Sequence, residues 1–238
     1  MIKISYKDNK KKHIEAVTVC VDYSDYLNYF IKYNLKHFDK LIIVTTKKDK
    51  KTIEICEKNN MQYVFTDRLY ENNAPFNKGK AINDGLKYTT KKDWILLIDS
   101  DIILPSDFRK KVNETRLNED ILYGIFRHDC RDTEGWKEYK KMSKKQKNTL
   151  LKRFMNTRKG KYKKIVGYFQ LFHSSSKKIN KKMIYPENSD RANASDRLFY
   201  RRWEYYERAF LEDIQAIHLS HSEMGINWEG RKDYSFDF

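Results

Sequence analysis

The sequence predicts an α/β fold: a mostly parallel central sheet with helices on both faces. Three observations carry this. Short apolar runs rich in Val and Ile alternate with amphipathic stretches through the first hundred residues, as strands covered on both faces do. Three of the runs end in polar residues, Asp22-Tyr23, Thr45-Thr46 and Thr66-Asp67, and the carboxyl ends of strands border the ligand crevice in open α/β sheets. A fourth run, "WILLID", leads straight into "SDIILP", which sets Asp99 and Asp101 at a strand end.

The elements follow in order. "AVTVCVD" (16–22) reads as a strand, and "SDYLNYFIKYNLKHF" as a helix with apolar residues at helical spacing. "KLIIVTT" (40–46), "QYVFT" (62–66) and "WILLID" (94–99) are the next strands, with "KKTIEICEKNN" and "KGKAINDGLKY" as the helices between them. After residue 105 the alternation degrades. "ILYGIFR", "KIVGYFQLFH" and "IQAIHLSH" read as strands, separated by a lysine-rich helix over about 137–157 and an irregular stretch, "YPENSDRANASDRLFYRRWEYYE". With 3 Pro, 8 Gly and no repeats, residues 1–238 are expected to form one domain. Its first half, about 1–104, is read as nucleotide-binding and its second, about 105–238, as acceptor-binding.

Composition bounds the rest. Hydrophobic residues at 39% support a packed core despite a mean hydropathy of -0.87. Cys20, Cys56 and Cys130 share no metal-ligand spacing and read as reduced thiols. "MIKISYKDNKKKHIE" is too polar for a signal peptide, and no apolar run reaches membrane-spanning length. The expectation is a soluble, cytoplasmic chain. The net charge of +16 is spread over lysines in almost every segment, so a solvated basic surface is the simple reading. Such a surface attracts anions such as sugar nucleotides and lipid headgroups. The basic helix allows a weak peripheral contact with anionic membrane, although a solvated face accounts for it more simply. A basic nucleic-acid-binding module is the non-enzymatic alternative, but no RNP or zinc-finger pattern is present, and nucleic acid is not an expected partner.

On an extended backbone residues i and i+2 point to the same side, so Asp99 and Asp101 face one way. Paired carboxylates repel, and a divalent cation such as Mg²⁺ or Mn²⁺ relieves them. The alternative is a solvent-facing turn. In "FNKGKAINDGLKY", Asn77 is placed to cap a helix, Gly79 to let backbone approach a ligand, and Ala81 to pack. Lys78 and Lys80 flank a helix N-terminus, which favours anions.

"FNKGKAINDGL" followed by "WILLIDSDIILP" resembles the nucleotide-sugar-binding half of GT-A-fold glycosyltransferases, those related to the inverting family 2. "GYFQLFH" (167–173), "ASDRLFYRRW" (194–203) and "HLSHSEMGINWEGR" (218–231) resemble the acceptor half, so the likeness spans about 16 to 231. It implies a Rossmann-like GT-A fold with a smaller mixed acceptor-side region. It also implies transfer of a sugar from a nucleotide-sugar donor, UDP-linked by default, to a glycan, glycoconjugate or lipid-linked acceptor. On this resemblance Asp22, Tyr23, Thr45 and Asp67 line the base pocket, while Asn77, Lys78, Ala81, Asp99 and Ser100 lie against the donor. Asp101 and His218 hold Mn²⁺ or Mg²⁺, and Asp196 is the general base, with Asp213 as second candidate. Ser195 or Asp196 is also read as the N-cap of a helix running through "RLFYRRWEYYERAF". His221 falls on the opposite strand face, and Ser220 stands where the resemblance expects glycine. A nucleotidyltransferase would share the sheet and carboxylates. It would need a Gly-rich phosphate loop after the first strand, which "VCVDYSDYLNYF" lacks.

Overall fold

Four parallel strands build the first half of the sheet: β1 (Ile14–Val19), β2 (Lys40–Thr45), β3 (Gln62–Phe65) and β4 (Trp94–Ile98). The computed structural model describes residues 11–130, 132–150, 164–179, 184–219 and 227–232. Alternate residues of β1 serve opposite faces. Ile14 and Ala16 pack with Leu27, Phe30 and Phe108 on one side; Val17 and Val19 pack with Ala81, Ile82 and Leu86 on the other. Burying such a Leu or Phe contributes about 1.5–3 kcal/mol each. The helices supplying these faces are α1 (Ser24–Asn34), α2 (Lys50–Lys58) and α3 (Lys78–Leu86). Of these seven elements, β1 starts two residues before and ends three before its sequence-read bounds, α1 runs on in a short 3-10 turn, Leu35–His37, and the other five end within two residues of theirs.

The second half adds β5 (Ile102–Ile103), α4 (Phe108–Glu114), β6 (Leu122–Cys130), α5 (Thr133–Lys141), β7 (Phe169–His173), α6 (Ala192–Tyr200) and β8 (Arg208–Leu219). All eight strands share one sheet in the order β3-β2-β1-β4-β7-β6-β8-β5. β7 runs antiparallel to both β4 and β6, β8 runs parallel to β6, and β5 runs antiparallel to β8. The mixed region therefore continues the parallel one.

Here the structure departs from the sequence reading. β7 starts at Phe169, five residues later than read, and β8 starts at Arg208, six residues earlier. β8 was hidden by a bulge: Phe210 opposes Gly124 while Gln215 opposes Phe126, so residues 211–214 leave the ladder. The lysine-rich helix is broken. Asp132 caps α5 by accepting from the Gly135 amide (2.7 Å), and a new helical run over 144–150 opens on a Ser143–Gln146 capping box. Residues 151–163, and with them the rest of the expected helix, lie outside the described residues. α6 begins at Ala192, with Arg191 at the N-cap, and stops at Tyr200. Neither Ser195 nor Asp196 caps it, because the helix starts earlier, where the Ala192 amide donates to the Trp228 carbonyl (3.0 Å). It ends in a turn that drives Trp203 into the core.

The three cysteines are free and buried, and burial pushes the Cys56 and Cys130 thiols up to about 12. Among the described residues, no helix is long and apolar enough to cross a membrane.

Candidate active site

The strand order turns back between β1 and β4: β2 and β3 lie on one side of β1, and the chain crosses to β4 on the other. Ligands bind at the carboxyl ends of strands at such a switch point. A cavity of about 540 Å³ lies there. Val19, Val21 and Tyr23 reach it from the end of β1, Lys78 from the start of α3, and Asp99, Ser100 and Asp101 from the end of β4. The far wall holds Asp196 and Arg197 of α6, His218 of β8 and Trp228.

Four carboxylates line this cavity, and the charge balance explains how they coexist. The Lys78 ammonium is paired with Asp99. Burial works to lower the Lys78 pKa, but Asp99, Asp101 and Asp196 around it outweigh that and raise it. Asp99 is shifted upward, by burial first and by Asp101 beside it, against the pull of Lys78 and His218. His218 Nε2 lies 3.4 Å from Asp101 Oδ2, and its Nδ1 lies 2.7 Å from Asp129 Oδ1. Burial opposes protonation of His218, yet Asp101 and the hydrogen bonds to Asp101 and Asp129 raise its pKa.

Among the described residues no three His, Cys, Asp or Glu side chains converge as a self-sufficient metal cage. Asp101 and His218 instead offer one oxygen and one nitrogen side by side. That donor set fits Mg²⁺ or Mn²⁺, which binds through few protein ligands and completes its shell with phosphate oxygens and water.

Asp196 sits in the second turn of α6, so the helix N-terminus does little for its charge. The Gly167 amide donates to its Oδ2 (2.9 Å) and the Arg197 amide to its Oδ1 (2.6 Å). A Cβ on Gly167 would stand 3.1 Å from Asp196 Cβ, so glycine there lets the two backbones close up. Burial, the largest influence, still leaves the Asp196 pKa raised. Asp213, by contrast, is exposed on the β8 bulge and does not line the cavity.

Five sequence-read donor residues also lie outside the cavity lining. Thr45 is buried, and its hydroxyl donates to Asp49 (3.4 Å). Asp22 adopts a left-handed backbone (φ 61), with its amide on Asp49 (2.7 Å). Asp67 is exposed at the end of β3. Asn77 and Ala81 serve the helix instead: Asn77 caps α3 by accepting from the Lys80 amide (3.1 Å), and Ala81 is fully buried against the sheet. Gly79 likewise approaches protein and not ligand, since a Cβ there would fall 2.0 Å from the Pro186 carbonyl oxygen. Ser220 and His221 lie outside the described residues.

The family model for glycosyl transferase family 2 matches residues 16–181, well over half of the chain. The chain belongs to that family. Solved glycosyltransferases share the fold at low identity. A mannosyltransferase, PcManGT from Pyrobaculum calidifontis, in complex with GDP-Man and Mn²⁺, superposes with a TM-score of 0.62 at 10% identity, covering 94% of this chain and 61% of that one. Glucosyl-3-phosphoglycerate synthase from Mycobacterium tuberculosis, with Mn²⁺ and UDP-glucose, gives 0.52 at 12% identity over 90% of this chain and 73% of the other. The chain thus spans less than two thirds of the mannosyltransferase's length. No curated protein matches the sequence.

In this family member three side chains at the site escaped the sequence reading. Arg127 and Asp129, two apart on β6, form an ion pair (3.0 Å) on the cavity wall. The same i, i+2 spacing that singled out Asp99 and Asp101 was the available signal. Arg231 had no such signal. Its guanidinium pairs with Asp25 (2.7 Å), donates to the Asp22 carbonyl (2.8 Å) and lies 4.8 Å over the Tyr23 ring. That clamp ties residues 227–232 to the start of α1 and brings Trp228 and Gly230 to the cavity.

Proposed function

We propose that this glycosyltransferase takes a nucleoside-diphosphate sugar, with Mn²⁺ or Mg²⁺ held by Asp101 and His218. It transfers the sugar with inversion to a hydroxyl of a glycan, glycoconjugate or lipid-linked acceptor. The observation that carries this reading is the gathering of Lys78, Asp99, Asp101, Asp196 and His218 around one cavity at the switch point. The complexes of its structural neighbours with GDP-Man or UDP-glucose and Mn²⁺ support it. Membership of the family sets the nucleotidyltransferase reading aside.

The residues divide the work. Tyr23 presents a ring to the base, with Arg231 steadying its other side. Asp22, Thr45 and Asp67 stand at or just past the ends of β1 to β3, outside the cavity lining, and take no donor contact in this reading. Lys78 holds Asp99 toward the ribose or a metal-bound water. When bound, a divalent cation neutralises charge on the departing diphosphate. Asp196 accepts the acceptor's hydroxyl proton as that oxygen bonds to the anomeric carbon. The bond from that carbon to the diphosphate oxygen breaks on the opposite side, which inverts the configuration.

A thermal-shift screen of nucleotide sugars with Mn²⁺ tests the donor class. A donor at a hundred times its Kd adds about 2.7 kcal/mol to native stability, or roughly 5–10 °C in Tm for a chain of this size. One base is expected to stand out, with its shift abolished by EDTA. Equal, negligible shifts for every nucleotide sugar would reject the reading.

A further inference from the structure

Three neighbouring strands bring three side chains into line. β5 and β6 flank β8, and His218 of β8 is in register with Ile102 of β5 on one side and Asp129 of β6 on the other. Asp101 stands just before β5, where its carbonyl accepts from the Leu219 amide (2.9 Å). The backbone ladders therefore fix the spacing of Asp101, His218 and Asp129 independently of any ligand.

The imidazole is nearly enclosed between two carboxylates, its side chain 13% exposed. Nδ1 makes the short contact, 2.7 Å to Asp129, and Nε2 the long one, 3.4 Å to Asp101. A carboxylate accepts hydrogen bonds and cannot donate them when ionised. Arg127 Nε lies 3.0 Å from Asp129 Oδ1, the same oxygen that His218 Nδ1 approaches, and its guanidinium rests 4.5 Å over the Tyr168 ring. Asp129 is thus braced to accept from His218, which puts the proton on Nδ1 and turns Nε2 toward Asp101. A ligating histidine whose second nitrogen donates to a carboxylate is fixed in tautomer and orientation and is a more basic ligand.

We propose that Asp129 is a positioning residue, braced by Arg127, that sets the His218 tautomer and aims Nε2 at the cation site beside Asp101. The proposal rests on the reading of Asp101 and His218 as metal ligands, and it adds a residue that neither the motif nor the family match assigns. Asp129 touches neither the reacting sugar nor the acceptor in this account; it acts through His218.

Two readouts test it on the full chain. In metal-free protein, above the pH at which the ring titrates, ¹⁵N NMR is expected to show His218 protonated at Nδ1. The signal is assigned by its loss in His218→Ala. Asp129→Ala is expected to shift that population toward Nε2–H, and Asp129→Asn, whose amide oxygen still accepts, to retain most of it. Calorimetric titration of Mn²⁺ with UDP or GDP present is expected to give a loss of about 10–100-fold in Asp129→Ala. The loss in Asp129→Asn should be smaller, and adding Asp129→Ala to His218→Ala should cost nothing more. Unchanged tautomer and Mn²⁺ affinity in Asp129→Ala, with affinity lost in Asp101→Ala, would overturn the role of Asp129 and leave the metal site standing. Mn²⁺ affinity equal in wild type, Asp101→Ala and His218→Ala would overturn both. If Asp129→Ala does not fold, Asp129→Asn decides: full Nε2–H character there rejects the proposal.

Discussion

Asp101→Ala is expected to leave the enzyme folded and nearly inactive. The Asp101 side chain is 11% exposed at the cavity, and the sheet uses its backbone, not its carboxylate, to join β5 to β8. Removing it takes away one of two protein ligands for the cation. A bound cation supplies several kcal/mol of charge stabilisation, and losing about 4 kcal/mol lowers turnover about a thousandfold. Donor affinity should fall as well, because the ligand acts on the bound diphosphate before any bond breaks. Removing one of four crowded carboxylates also relieves repulsion on Asp99, whose pKa Asp101 helps to raise. The variant is therefore expected to be no less stable than wild type in thermal melts without metal. Near wild-type turnover by a folded Asp101→Ala would exclude it as a ligand.

Asp196→Asn is expected to separate chemistry from binding. Asn keeps the shape and can still accept the Gly167 amide, so the fold and donor affinity should survive. Turnover should fall by about two to four orders of magnitude, the usual contribution of a positioned base. The pH profile follows from the raised pKa. Burial, with Asp99 adding to it, outweighs the Gly167 and Arg197 amides and Lys78, so the carboxyl holds its proton above the ordinary range. Wild-type turnover should therefore climb as pH rises through that raised value and then level off. Stability moves the opposite way at this residue. The folded state binds the proton more tightly than the unfolded chain, so the contribution of Asp196 to stability is fully present below the unfolded pKa. It is lost as pH rises through the folded one. A flat rate profile in wild type, or Asp196→Asn turning over normally, would remove the base from this position.

The nucleotide half was legible because its strands are buried on both faces and so read as unbroken apolar runs, as "WILLI" does. The acceptor half was less so for identifiable reasons. β5 is only two residues long, the β8 bulge puts Glu212 and Asp213 in the middle of a strand, and α6 starts among polar residues with no side-chain cap. At the site, Asp99, Asp101 and His218 were readable as carboxylates and imidazole beside apolar strands. Asn77 and Ala81 are the cap and the packed residue the sequence suggested, and neither lines the cavity, because a cap and a packed small residue carry the same local signature as a phosphate-binding turn. Asp129 is defined by its neighbour on β8, and Arg231 by a contact across 206 positions in sequence. The i, i+2 spacing of Arg127 and Asp129 is visible locally, but no local pattern encodes the contact with His218 or that of Arg231.

The central claim is that Asp101 and His218 make nucleotide binding depend on a divalent cation. Calorimetric titration of UDP and GDP into the wild-type enzyme, in Mn²⁺ and then in EDTA, tests it most directly. At least one nucleotide should bind in Mn²⁺ and lose about a hundredfold or more in EDTA, a difference of about 2.7 kcal/mol. The same affinity for that nucleotide in both buffers would contradict it.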